Sequence, residues 1–351
     1  MSSSTSSFSP VTHESASAEP PELMSSPATL VRERSLEVAP ARRPAPEPVV
    51  THFASQWAAF WTVFTSDAAA LLGLVVIVIT VVVSLTVPLF SPYDPTVAIA
   101  GIRLAPPLTP GHLLGGDSQE RDELARLLWG GRISLLVSVV PIVMATAISL
   151  ALGLLAGYAG GIVDALIMRV LDVFFAFPTV LIGVAIAAAL GPNERNQMVA
   201  ITILLVPYIS RVVRTAVLSV KELPHIEASR ALGASHVRIV TRHILPNAVP
   251  AVVVYATTLV GMMMVLAAGL SFLGLGVQPP TPDWGVMVKD GKDVLGIAPW
   301  VSTLPGLAIL VLALAFTFLG DGLRDALDPA LRSRRLARAA HRRGRNATRL
   351  S

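Results

Sequence analysis

Six stretches of the chain stay apolar for about twenty residues, near 68–90, 133–157, 166–190, 198–219, 245–268 and 299–320. A hydrocarbon layer of about 30 Å takes about 20 apolar residues to cross as a helix, which satisfies its own backbone. The pattern therefore predicts six transmembrane helices. Pro141, Pro178 and Pro207 fall inside three of them. Proline ends a soluble helix, but within a bilayer neighbouring groups satisfy the freed carbonyl, so these spans are expected to be kinked and unbroken. Before the first span, Phe53, Trp57, Phe60, Trp61 and Phe64 recur at helical spacing. They predict an interfacial amphipathic helix or an extension of the first span.

The polar stretches set the limits. Residues 1–50 are rich in Ser, Pro, Ala and Glu without apolar period, the composition of a disordered tail rather than a secretory signal. The expected organisation is this tail, an interfacial helix with the first span and a polar segment over 51–130, a five-helix core over 131–330, and a basic tail over 331–351. With 53% hydrophobic and 14% charged residues, the chain lies far from the roughly 25% charge of an ordinary soluble domain, and a soluble enzyme is excluded. Zero cysteines exclude disulfides, thiolate metal sites and cysteine nucleophiles.

Six spans place both termini on one side, and the bias of Lys and Arg decides which. Twenty of the 27 basic residues fall on the side of the termini and seven on the other. Both termini are thus expected in the cytoplasm of a multi-pass cell-membrane protein. The arginine-rich end, from Arg332 to Arg349, fits attraction to anionic lipid beside a membrane exit better than nucleic acid, which is not expected as a partner.

Two polar connections stand out. On the outside, 91–132 is proline-rich, and Asp117 to Glu120 has the spacing of a capping box opening a short helix that stops at Gly130-Gly131. It reads as a structured lid or as a substrate contact. On the inside, Pro224 suits the first turn of a helix and Gly233 the left-handed residue that ends one, with a second helical stretch over Ser235–Arg242. Small residues Ala228, Ser229 and Ala231 beside Glu227 suit a short helix that either enters another protein's groove or merely joins two spans.

Here the residues carry a resemblance. EASRALGASHVRIVTRHILPN, Glu227 to Asn247, resembles the EAA loop of permease subunits of ATP-binding-cassette importers, in the dipeptide/oligopeptide/nickel branch. SPYDP at 91–95, HLLGGD at 112–117, RISLLV at 132–137, AGYAGGIVDALIMRVLDVFFAFP at 156–178, LSFLGLGVQPPTPDWG at 270–285 and GDGLRDALDP at 320–329 follow in family order. The family usually has Ala at Ser229, Thr at Gly116 and Gly at Glu120, and often Glu at Ala267.

The resemblance implies an all-α membrane protein with six transmembrane helices in the type I ABC importer permease fold, an N-terminal interfacial helix and a cytoplasmic coupling helix. It implies partners too: a second homologous permease subunit, two ATP-binding subunits and an extracytoplasmic solute-binding protein delivering peptides or a related solute. Glu227, Ala228, Ser229, Ala231, Leu232 and Gly233 would form the loop that seats in the ATPase.

No catalytic, cofactor or metal constellation is expected: no GxxxxGK[ST] and no HExxH occurs, and the seven histidines lie outside the spans. The rival is an ion-coupled carrier or a channel, which commonly sets ionisable groups at membrane depth. Arg169 and Asp172 are the candidates, read as an intrahelical pair or a proton relay. Gly153 and Gly157, a small-xxx-small pair, predict close helix packing within or between chains.

Overall fold

The computed structural model describes residues 60–327. Phe53, Trp57 and the two tails lie outside them. The described chain is helical, in order α1 Ala68–Phe90, α2 Glu123–Ala159, α3 Gly161–Asp172, α4 Thr179–Leu190, α5 Glu194–Lys221, α6 Pro224–Ala231, α7 His236–Ile239, α8 Leu245–Phe272, α9 Trp284–Gly291 and α10 Trp300–Leu327. Five helices among the described residues are long and apolar enough to cross a membrane, and six spans result if α3 and α4 are one broken crossing.

Pro141 and Pro207 sit inside continuous helices, as expected. Pro178 does not. The span predicted over 166–190 turns by 95° between α3 and α4, with a 3₁₀ turn at Val173–Ala176. Proline disfavours helical backbone in the residue before it, and Phe177 is accordingly extended at φ −123° and ψ 152°. Ahead of α1, residues 60–64 are helical, Thr65 and Ser66 turn, and Asp67 caps the first turn of α1 through Ala69 N and Ala70 N. The aromatic helix is therefore separate from the first span.

The packing centres on α5. Ile201, Leu205, Ile209, Val213 and Val217 recur every four residues and are fully or almost fully buried. The α2 and α5 helices make the most extensive contact in the fold. It depends on two glycines: a Cβ on Gly153 would lie 2.5 Å from Val213 Cβ, and one on Gly157 would lie 2.8 Å from Val217 Cγ1. The small-xxx-small pair therefore packs within this chain. Ser149 Oγ adds a hydrogen bond of 3.0 Å to Val206 O across the same seam.

The end of the bundle away from α6 is closed by residues 91–122 and α9. Asp117 is fully buried and accepts from Gln119 N, Arg121 N, Arg121 Nε and Arg126 Nη1 at 2.5–2.8 Å. Arg121 also donates to Asp290 of α9 at 3.2 Å. Burial pushes the Asp290 carboxyl up, and Arg121 draws it back down. At the start of α9, buried Asp283 accepts from Ser134 Oγ at 2.7 Å and caps Gly285 N and Val286 N. Burial raises its pKa against these hydrogen bonds.

Two expectations about the outer segment are corrected. Asp117 and Glu120 do not open a helix; Asp122 is the N-cap of α2, accepting from Ala125 N at 2.7 Å, with His112 Nδ1 on its other oxygen at 2.8 Å. Nor does a helix stop at Gly130-Gly131, where α2 runs straight on. Those glycines admit the Trp284 ring, 3.0 Å from where either Cβ would sit, while Trp284 Nε1 donates to Leu127 O at 2.8 Å. The backbone accounts for the departure at 116 and not for the one at 120. Glu120 holds φ +61°, where glycine is at ease and a side chain is not. A Cβ at Gly116 would lie 2.0 Å from Ile102 O, so this backbone excludes a threonine there.

Two stability measurements follow. Glu120→Gly should raise the thermal midpoint of the detergent-purified protein, worth about 1 kcal/mol from the relieved left-handed strain. Gly153→Val should lower it, through a loss of about 1–3 kcal/mol of stability, because α2 and α5 must part. An unchanged midpoint in either variant contradicts the corresponding packing.

Candidate functional site

The most organised polar surface lies where α5 ends. Leu223 is extended, Pro224 opens α6, and the helix stops as predicted at Gly233, whose φ is +78°. Gly233 N donates to Arg230 O at 2.9 Å and Ala234 N to Ser229 O at 3.1 Å, the paired bonds of a Schellman motif. Both bonds satisfy carbonyls that the end of α6 would otherwise leave open. Ser235 then caps the next helix, donated to by Arg238 N at 3.4 Å.

The predicted stretch Ser235–Arg242 does not end before the span. α7 continues through a π-helical turn at Val240–Ile244 directly into α8. The loop is therefore built into the end of a membrane helix.

Ile226, Ile239 and Ile244 are fully buried and pin this region to the main core. Of the six predicted site residues, Glu227, Ala228, Ala231, Leu232 and Gly233 are exposed and Ser229 is half-buried. Ser229 Oγ donates to His225 O one turn back along α6 at 2.8 Å, so this residue contributes its small size more than its hydroxyl. Leu232 is 88% exposed and Val237 72% exposed. Thus α6 has one face seated on the bundle and an open face with an apolar, nearly uncovered edge.

What holds α6 and α7 in place could not be read locally. Tyr158 OH lies 2.6 Å from His236 Nδ1, joining the end of α2 to the start of α7. Lys221 Nζ donates to Tyr158 O at 2.7 Å and Gly157 O at 3.4 Å, satisfying two terminal carbonyls of α2. The Lys221 ammonium and Arg230 guanidinium stand 5.7 and 5.9 Å from the Tyr158 ring. Tyr158 and its partners are 63–78 residues apart in sequence, so no spacing rule points to them.

A second charged feature sits on α5 away from the core. Asp172 does not pair with Arg169 within α3, as the spacing suggested. It pairs with Arg211 of α5. The Arg211 guanidinium also lies 3.7 Å from the Phe175 ring centroid. Thr179 Oγ1 and Tyr208 OH are 2.6 Å apart, which ties the start of α4 beside the pair. One turn along α5, Arg214 binds Asp164 through both Nε and Nη2 at 2.5 Å.

Residues 149–333 match the family model described as "Binding-protein-dependent transport system inner membrane component". Residues 55–107 match the N-terminal TM domain of oligopeptide transport permease C. The chain is 41% identical over 285 residues to the glutathione transport system permease protein of Pectobacterium atrosepticum, covering 81% of this chain and 93% of that relative. It is 38% identical to the dipeptide transport system permease protein of Alkalihalophilus pseudofirmus, covering 83% and 95%. Against the di/tripeptide transport system permease protein of Pseudomonas aeruginosa the identity is 42%, covering 75% and 89%. Among solved structures, an inward-facing methionine ABC transporter matches at 23% identity and a TM-score of 0.49, covering 58% of this chain and 98% of that one.

Tyr158→Phe should leave the helix content unchanged and raise amide exchange over 224–239, because the hydroxyl contact to His236 is lost while the ring remains. Exchange equal to that of the unaltered protein would remove Tyr158 as the anchor of the loop.

Proposed function

The chain belongs to the family of binding-protein-dependent transport system inner membrane components, and we propose that it is a permease subunit of an ATP-binding-cassette importer for peptide-type solutes. Support for the solute class comes from relatives named for dipeptide, di/tripeptide and glutathione transport. The proposed assembly holds this chain, a second homologous permease, two ATP-binding subunits and an extracytoplasmic solute-binding protein. Both termini and α6 face the cytoplasm, in keeping with the basic residues concentrated on that side.

One observation carries the reading: α6 is a short helix closed by Gly233, pinned by Ile226, and open on the face bearing Glu227, Ala228 and Leu232. A partner can drive a conformational equilibrium only through differential affinity for its two states. A loop that bent under load would absorb that difference. Here the load passes from the loop to α2 through the contact of His236 with Tyr158, from α2 to α5 through Lys221, and to α8 through the continuous helix beginning at His236.

In this proposal, ATP-driven closure of the ATPase subunits moves the two coupling helices together and tilts the spans between inward and outward access. Glu227 supplies a polar contact, Ala228, Ser229 and Ala231 permit close approach, and Leu232 fills an apolar recess in the partner. Gly233 sets the turn. The chain itself carries no phosphate-cradling GxxxxGK[ST] sequence, so hydrolysis belongs to the partner subunits.

Gly233→Val should abolish ATP-driven uptake by the assembled complex while leaving membrane insertion unchanged, since a β-branched residue is badly strained at φ +78°. Unaltered uptake in that variant, or uphill transport by this chain reconstituted without ATPase subunits, would overturn the proposal. Uptake lost on collapse of an ion gradient, but retained on ATP depletion, would instead establish an ion-coupled carrier.

A further inference from the structure

The exposed faces of the spans differ in kind. That of α1 is apolar, with Leu72, Val75, Ile79, Val82 and Leu85 all more than half uncovered, as a lipid-facing helix should be. On α5, Tyr208, Arg211, Thr215 and Ser219 follow at intervals of three, four and four, forming a polar stripe on the side away from the core. Arg211 lies inside the span expected over 198–219, ten residues and about 15 Å along the helix before Lys221. Asp172 reaches the same depth from the start of α3, eleven residues after Gly161.

Charged groups at that depth face a wet cavity or another protein surface, not lipid. The side chains of Arg211 and Asp172 are 45% and 49% exposed in this chain. The contrast with the neighbouring pair is informative. Arg214 and Asp164 are more buried and joined by two parallel bonds, the form of a strut. Arg211 joins Asp172 through Nη2 alone and rests its flat face on Phe175. The other donors of the guanidinium make no hydrogen bond among the described residues. Beside them α4 begins, and the side chain of its N-cap, Pro178, offers no hydrogen bond to the first amides of that helix. A broken helix with a free N-terminus at membrane depth is a physical setting for an anionic group.

We propose that this face lines the solute path, and that Asp172 and Arg211 form a subsite for a zwitterionic solute, with Phe175 and Tyr208 as its aromatic floor. The carboxylate of the solute takes Arg211 and the amides opening α4; its ammonium takes Asp172. Net charge selects the class. Inserting a zwitterion exchanges one ion pair for two and leaves no charge unmatched, whereas a lone anion or cation would take one partner from the pair and leave Asp172 or Arg211 without a counter-charge. The inference deepens the transporter reading, on which it rests for the peptide-type solute.

The absence of cysteine from the chain makes a direct test available. Thr179→Cys places a single thiol beside the pair, and its reaction with a charged methanethiosulfonate is followed on this chain in the assembled complex in nanodiscs, without binding protein. Near saturation, dialanine should slow the reaction about tenfold by mass action, and N-acetyl-dialanine amide should not. Asp172→Asn and Arg211→Gln, each added to Thr179→Cys in complexes that still co-purify, should remove the protection. A thiol that the charged reagent cannot reach, equal rates with and without dialanine, or equal protection by the blocked compound would each overturn the subsite. ATP-driven dialanine uptake by the wild-type complex separates the two readings: its presence without protection rejects the subsite alone, and its absence rejects the transporter assignment.

Discussion

The contact between α2 and α5 sets the position of everything else. It is close because Gly153 and Gly157 present no side chain to Val213 and Val217, so the two backbones meet where ordinary residues would hold them apart. In a bilayer, where apolar association gains little from leaving lipid, such close packing and a few interhelical hydrogen bonds are what hold helices together. From this seam the polar groups take their places. The end of α2 lies beside Lys221, which satisfies its carbonyls, and Tyr158 reaches His236. Farther along the seam, Ser149 binds Val206 O.

The polar ends of the bundle are built differently. Away from α6, charge is buried and interlocked: Asp117 takes four donors, Arg121 ties it to Asp290, and Asp283 joins Ser134 to α9. Buried ion pairs offset a large desolvation cost only when their geometry is nearly complete, and they penalise alternatives heavily. They suit a cover that keeps one shape. At the α6 end, hydrogen bonds secure a helix whose outer face remains open. One end resists rearrangement and the other offers a surface.

What the sequence revealed depended on the range of the interaction. Five spans, the opening proline of α6 and the closing Gly233 were legible, since hydrophobic length, proline at the first turn and glycine after the last are local signals. Pro178 was read as a kink and proved a break, because nothing local reports whether neighbours will repair an interrupted helix. Gly130-Gly131 was read as a stop; its cause is Trp284, more than 150 residues away. Likewise Asp172 had an obvious partner in Arg169 by spacing and took Arg211 instead. At the candidate site the loop residues were visible in sequence, but the residues holding the loop were not. The stripe on α5 was available in principle as a polar period, yet only the fold shows that it lies on the uncovered side.

The unbroken run from α7 to the end of α8 has a mechanical meaning. His236–Phe272 forms one rod of 37 residues, joined near its far end to α5 by Gln197, which donates to Ala267 O at 2.7 Å and Ser271 Oγ at 3.2 Å. At the near end the α6 turn links the same two rods. Two stiff bars tied at both extremities make a parallelogram linkage, which can slide lengthwise but cannot open like scissors. A tug on the loop would then arrive at the opposite rim as axial shear, delivered without bending either bar.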